Sequence, residues 1–155
     1  MRMSSRRRTW MLFLATTIAV VALALSPPLF SPFWRAVVMH AFSPVCHQVA
    51  VRSPHLGGVQ LAICDRCIGI YLGLVIGVAS VGWGRLFWQR VGTHGRYVLL
   101  GSLLPLGMDW VGPVVGLWSN TPVSRAATGM VFGLVAASFA TAQVLRRMDE
   151  RADSA

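Results

Sequence analysis

Four long apolar segments constrain this chain more than any other feature of its sequence. They cover residues 10–25, 68–83, 97–118 and 125–145, and within them only Asp109 and Arg125 are charged. An α-helix needs roughly 20 apolar residues to cross the hydrocarbon core of a bilayer, and segment 10–25 alone extends about 24 Å as a helix. We therefore predict an all-α polytopic membrane protein with four transmembrane helices.

The composition agrees with this prediction. Hydrophobic residues make up 55% of the chain and charged residues only 12%, which is too few charges to cover a soluble domain. We expect one membrane domain at 10–145, preceded by a basic stretch at 1–9 and followed by a charged cytoplasmic tail at 146–155. Residues 29–42 follow two prolines and place aromatic side chains on one side, which predicts a short interfacial helix.

The first apolar segment allows two interpretations. A basic start, an apolar middle and the sequence Ala22-Leu23-Ala24 are typical of a cleaved signal peptide. The same segment also suits a retained anchor, which we favour because the rest of the chain already requires a membrane.

The basic residues indicate an orientation rather than a nucleic-acid partner. The net charge is +9, all 14 basic residues are arginine, and most of them lie at the ends of apolar segments. With both termini in the cytoplasm, ten arginines lie inside (Arg2, Arg6, Arg7, Arg8, Arg85, Arg90, Arg96, Arg146, Arg147, Arg151) and four outside (Arg35, Arg52, Arg66, Arg125). This bias predicts a multi-pass protein of the plasma (inner) membrane, with the lipid bilayer as its partner and the loop at 43–67 extracytoplasmic.

All three cysteines and two of the four histidines lie between residues 46 and 67. Thiolates and an imidazole within reach of each other suit a tetrahedral metal site, with zinc as the default ion. We therefore predict a zinc site formed by Cys46, Cys64 and Cys67, with His47 as fourth ligand. His40 or His55 could replace His47, because adjacent residues ligate one ion only through a tight bend.

The same cysteines permit two other interpretations. A Cys-x-x-Cys pair at the start of a helix favours thiol–disulfide exchange, so Cys64 and Cys67 could be the exchanging pair of an oxidoreductase and Cys46 a third thiol. The alternative without chemistry is three buried cysteines that act as small hydrophobic residues. Predicted strands at 49–52 and 59–62, folded about His55, would bring Cys46 opposite Cys64.

Asp109 supplies a further candidate site. A carboxylate within a membrane span should face the bundle interior and have a partner. We predict that the third span is broken near Gly112-Pro113 and that Arg125 pairs with Asp109, with Tyr71 and Asn120 as the next candidates. The pair is either structural or part of a small transporter or proton relay.

Small residues recur every four positions in two spans. They are Gly69, Gly73 and Gly77 in the second span, and Gly129, Gly133, Ala137 and Thr141 in the fourth. Such faces allow close helix packing in lipid, within the chain or in a homo-oligomer.

The segment from Cys46-His47-Gln48 through Arg52 to Cys64-Asp65-Arg66-Cys67-Ile68-Gly69-Ile70-Tyr71 resembles a family of small prokaryotic membrane proteins, the domain of unknown function 2085. The similarity extends to Asp109, Asn120 and Arg125. It implies a multi-helix membrane domain without an established activity. It also directs attention to Gln48, Arg52, Arg66, Tyr71 and Arg125 as structural or functional polar residues.

No motif of an ordinary hydrolase or kinase is present in the sequence. It contains no nucleotide-binding loop, no nucleophile elbow and no paired-carboxylate motif. We therefore expect a binding protein rather than an enzyme, unless the thiols exchange disulfides, and the substrate is not identified.

Overall fold

A computed structural model describes residues 5–83 and 94–153, most of which are helical. Arg2, Arg85 and Arg90, which entered the arginine count, lie outside the described residues. The described helices are α1 (Ser5–Leu25), α2 (Pro32–Phe42), α3 (Asp65–Trp83), α4 (Gly95–Val114) and α5 (Pro122–Asp153). Four of them, all except α2, are long and apolar enough to cross a membrane. The predicted fold class is confirmed.

The second and fourth apolar segments pack directly against each other. A Cβ atom added to Gly69 would lie 1.9 Å from the carbonyl oxygen of Ala126, and one added to Gly133 would lie 2.1 Å from that of Ile70. Gly73 and Gly77 of α3, and Gly129 of α5, make similarly close backbone contacts. We call this contact between α3 and α5 the glycine seam. Both small-residue faces are covered within the chain, so a homo-oligomer would have to use other surfaces.

Helix α1 contacts the bundle near both of its ends. The indole Nε1 of Trp10 donates a hydrogen bond to the carbonyl oxygen of Val78 at 2.8 Å. At the other end of α1, Ala24 is fully buried and its carbonyl oxygen accepts a bond from the backbone N–H of Ala62 at 3.2 Å. The cysteine-bearing loop therefore lies at the C-terminal end of α1.

The last helix is longer than the sequence predicted. Helix α5 continues beyond Leu145 to Asp153, so the described part of the charged tail is helical. Near its end, Asp149 forms an ion pair with Nε of Arg6 at 3.4 Å. The start of α1 and the end of α5 therefore lie together, at the end of the bundle opposite the cysteine loop.

Helix α4 is not unwound at Gly112-Pro113 itself, but it ends close to this predicted break in the third span. The helix continues through Pro105 and ends only at Val114, one residue after Pro113. Proline lacks an N–H group, so Pro113 leaves the carbonyl oxygen of Asp109, four residues earlier, without its helical donor. Side chains from elsewhere supply that donor: Nδ2 of Asn120 at 2.8 Å and Nη2 of Arg66 at 3.3 Å.

The loop between α2 and α3 contains a hairpin that is shorter than predicted. Strand β1 (His55–Leu56) pairs with β2 (Val59–Gln60), and Gly57 and Gly58 form the turn with φ values of 58° and 77°. Residues Ala50–Arg52, expected in a strand, form a 3-10 turn instead. The hairpin tip is therefore the glycine pair rather than His55, because glycine tolerates these positive φ angles best.

Candidate functional site

The cysteines lie in a small apolar core at the loop end of the bundle. Cys46 is buried with Ala24, Phe42, Ala62 and Ile63. The ring of Tyr71 packs edge-on against that of Phe42, with 6.1 Å between the ring centroids. Tyr71 thus belongs to the wall of this core, and the described structure shows no contact between its hydroxyl and Asp109.

All three thiols converge on one point. The Sγ atoms of Cys46, Cys64 and Cys67 lie within 4.8 Å of one another, and those of Cys64 and Cys67 are 3.6 Å apart. The backbone N–H of Cys64 donates to Sγ of Cys46 at 3.2 Å. The cysteines that the sequence singled out are therefore brought together, although by a 3-10 turn and a short hairpin rather than by paired long strands.

Cys64 is the thiol best suited to carry a negative charge. Hydrogen bonds from the thiols of Cys46 and Cys67 lower the pKa of Cys64 well below its ordinary value, and backbone N–H groups at the start of α3 add to the effect. Burial opposes the shift but is the weaker influence. A thiolate can serve as a metal ligand or as a nucleophile.

The histidines do not join the cysteines. His40, His47 and His55 are exposed, and the group of ligand atoms within 4.8 Å contains cysteines alone among the described residues. His47 does line the cavity next to the thiols. The structure therefore supplies three converging ligands and leaves the predicted fourth position without an imidazole.

Gln48 fixes the backbone that carries Cys46. Its φ angle is 50°, in the left-handed region that a residue with a side chain rarely adopts. Its side-chain Nε2 donates to the carbonyl oxygens of Met39 at 2.7 Å and Ala62 at 2.8 Å. Nε2 of Gln60 in turn donates to the Gln48 carbonyl oxygen at 2.7 Å. Gln48 thus joins α2 to the strand that precedes Cys64.

Two charged residues between Cys64 and Cys67 anchor the cysteines to the other helices. Arg66 forms an ion pair with Oδ2 of Asp109 on α4. Asp65 accepts a hydrogen bond from Nη1 of Arg125 on α5 at 3.0 Å. All four side chains are largely shielded from solvent, so each charge needs its partner.

The predicted pair of Asp109 with Arg125 is therefore wrong, although both residues belong to one network. Asn120 lies between them: its Oδ1 accepts a bond from Nε of Arg125 at 2.8 Å, and its Nδ2 donates to the Asp109 carbonyl oxygen. The Oγ of Ser124 donates to Oδ1 of Asp109 at 2.9 Å. The carboxylate of Asp109 is buried but fully hydrogen-bonded, which supports a structural role over proton transfer.

The sequence contained one unused signal for this arrangement. Pro113 follows Asp109 by four residues and so predicts a carbonyl oxygen that needs an outside donor. Arg66 and Asn120 could have been sought on that ground. Ser124 carried no comparable signal and was missed.

A cavity of about 690 Å³ opens beside the thiols. All three cysteines contribute to its wall, together with polar residues of the loop and the ends of α4 and α5. The polar and charged lining residues are His47, Gln48, Arg52, Arg66, Asn120 and Arg125. The site therefore combines a thiol cluster with a cavity large enough for a small molecule.

Comparisons with known proteins agree that the chain is a membrane protein. The family described as "Predicted membrane protein (DUF2085)" matches residues 46–139, which is more than half of the chain. An uncharacterized protein of Methanocaldococcus jannaschii is 28% identical over 106 residues, covering 66% of this chain and 67% of that protein. No solved structure matches.

Proposed function

Because the chain belongs to the DUF2085 family of predicted membrane proteins, we propose that it is an integral membrane protein that binds a zinc ion at its cysteine end. One observation carries the proposal: three Sγ atoms lie within 4.8 Å of one another at the end of a helical bundle. Cysteine thiolates in such a group are the ligands that zinc prefers in proteins.

The distances fit zinc with little movement. A tetrahedral ion with Zn–S bonds of about 2.3 Å holds its thiolates about 3.8 Å apart. The Sγ atoms of Cys64 and Cys67 are already 3.6 Å apart, so ordinary side-chain rotation brings all three Sγ atoms to this spacing. The residues present supply three ligands, and a fourth would come from His47 after a local bend or from a molecule in the cavity. A fourth protein ligand would make the site structural, whereas an open position would permit chemistry.

The metal content of the purified protein tests the proposal. We expect about one zinc ion per chain when the protein is purified under reducing conditions. Changing any of the three cysteines to serine should remove most of the metal, and double changes should be little worse than single ones, because one lost ligand already disrupts the set. His94→Ala is the matched control, since His94 lies at the start of α4, away from the cavity lining. Full zinc content in all three Cys→Ser variants would refute the site.

The second candidate is a thiol–disulfide oxidoreductase, favoured by the lowered pKa of Cys64 at the start of α3. The Cys64 thiolate would attack a disulfide of a partner, and Cys67 would resolve the mixed disulfide by forming the Cys64–Cys67 bond while the partner leaves as a dithiol. Protein that contains no metal and a Cys64–Cys67 disulfide after purification without reductant would support this function over zinc binding.

We also propose that the cysteine end faces the extracytoplasmic side and that α1 is retained. Ten arginines against four favour this orientation. The Arg6–Asp149 ion pair, at the end of the bundle opposite the cysteine loop, supports two termini on one side. The packing of Trp10 and Ala24 supports a retained helix. A membrane-impermeant maleimide should label the cysteines of intact cells after chelation and reduction; labelling only after the cells are broken would reverse the orientation.

A further inference from the structure

The cavity beside the thiols has an unbalanced charge. Among the described residues that line it, three are arginines (Arg52, Arg66 and Arg125) and none is acidic. Asp65 and Asp109 hold Arg125 and Arg66 through ion pairs but do not reach the cavity lining. The surface that a bound molecule meets is therefore basic, even though the surrounding network is partly neutralised.

The three arginines differ in the donors that they keep free. Arg125 uses Nε, Nη1 and Nη2 in bonds to Asn120 and Asp65. Nη2 of Arg66 donates a hydrogen bond to Oδ2 of Asp109. Arg52 lies in the 3-10 turn before the hairpin and is exposed, and its guanidinium group forms no hydrogen bond or ion pair with the described residues. Its guanidinium group, with its fork of donors, is thus available to an acid group.

The rest of the lining is apolar. Val45 and Val49 from the loop, and Trp110, Pro113 and Val114 from the end of α4, contribute to the wall. Trp110 is 59% exposed and Val114 is 69% exposed, so these side chains are not covered by the rest of the protein. A cavity with a basic part and an apolar part selects a molecule with both an acid group and an apolar body.

We propose that this cavity binds a small amphipathic anion, with its acid group on Arg52 and Arg66, which both line the cavity, and its apolar body against Trp110 and Val114. The acid group is a carboxylate or a phosphate, and it belongs either to a soluble molecule or to the headgroup of an anionic lipid. Neither arginine is a metal ligand, so the proposal does not rest on the zinc site.

Octanoate is a suitable probe, with 1-octanol as its neutral counterpart. The full chain, purified in a nonionic detergent, is titrated with each compound by calorimetry. We expect octanoate to bind and 1-octanol to bind at least about tenfold more weakly, because a charge-assisted hydrogen bond is lost. Equal affinities for the two compounds would overturn the proposal.

Variants assign the binding to the cavity. Arg52→Gln should weaken octanoate binding about tenfold or more, and Arg52→Lys should restore part of the loss. Arg8→Gln, at an exposed arginine at the opposite end of the bundle, is the matched control and should bind like the wild type. Trp110→Ala tests the apolar wall without changing a charge and should also weaken octanoate binding. Unchanged affinity in both Arg52→Gln and Trp110→Ala would refute the site, whatever the zinc content.

Nanodiscs distinguish the two sources of the anion. If phosphatidylglycerol added to phosphatidylcholine discs weakens octanoate binding in the wild type but not in Arg52→Gln, a lipid headgroup occupies the cavity. If phosphatidylglycerol has no effect while octanoate still depends on Arg52, the ligand is a soluble acid. Either result supports an anion site, whereas competition that is equal in both proteins contradicts it.

Discussion

The glycine seam and the cysteine end join α3 to its neighbouring helices in opposite ways. In the seam, α3 and α5 approach through backbone atoms, and Gly69 and Gly133 leave no room for a side chain. At the cysteine end, Asp65 and Arg66 of α3 form ion pairs with Arg125 of α5 and Asp109 of α4. The seam requires that its glycines carry no side chain. The cysteine end requires that each charged side chain has a partner of opposite charge. One helix thus combines an interface fixed by shape with one fixed by electrostatics.

The largest effect should come from the electrostatic interface. Asp109→Leu leaves Arg66 without its carboxylate and should lower the free energy of unfolding by about 3–5 kcal/mol, measured by denaturant titration of the purified protein in detergent. Asp109→Asn should lower the free energy of unfolding by less, because the amide oxygen can still accept the hydrogen bond from Ser124.

A double-mutant cycle identifies the partner of Asp109. Arg66→Met combined with Asp109→Leu should recover much of the loss, because the double variant leaves neither charge alone. Arg125→Met combined with Asp109→Leu is the matched control and should recover less. If the Arg125 double variant recovers more stability than the Arg66 double variant, Asp109 pairs with Arg125, as the sequence suggested.

A smaller effect is expected in the seam. Gly133→Ala places a methyl group against the carbonyl oxygen of Ile70 and should lower the free energy of unfolding by about 1–3 kcal/mol. Gly107→Ala on α4, where an added Cβ meets nothing within 4 Å, is the control and should raise stability by up to about 1 kcal/mol. Equal responses at the two glycines would show that the helices do not touch at the seam.

The smallest effect concerns the loop that carries Cys46. Gln48→Ala removes two hydrogen bonds that lie outside both interfaces and should lower the free energy of unfolding by about 1–2 kcal/mol. Gln48→Gly should lose less, since glycine suits the positive φ angle. Gln143→Ala on α5, whose side chain makes no hydrogen bond with described residues, is the control. A larger loss at Gln143 than at Gln48 would contradict this role.

The sequence predicted the seam better than the charge network because the two depend on different information. Small residues at every fourth position define a helix face whatever lies opposite, so Gly69 and Gly133 could be placed before their partner was known. The partner of Asp109 depends on how α4 is rotated and where it ends, and spacing along the chain fixes neither. Asp109 was therefore recognised as a residue that needs a partner but was paired with Arg125 instead of Arg66.

The cysteine cluster also shows that spacing along the chain does not fix every contact of a site. Three cysteines close in sequence predicted one site, and the structure brings Cys46, Cys64 and Cys67 together. Neither the exposure of His47 nor the left-handed backbone of the adjacent Gln48 could be predicted from the spacing of the cysteines and histidines. A left-handed residue is not encoded by a simple pattern unless it is glycine.

The glycine seam joins two helices that the ribosome synthesises at different times. Helix α5 follows α3 only after residues 84–121, so the ribosome must finish the whole third span before the partner of α3 exists. At a translation rate of about 5–20 residues per second, this interval lasts on the order of seconds. During it, the newly inserted second span has no fourth span to cover its glycine face, and Asp65 has no Arg125. The seam can therefore form only after the fourth span has been synthesised.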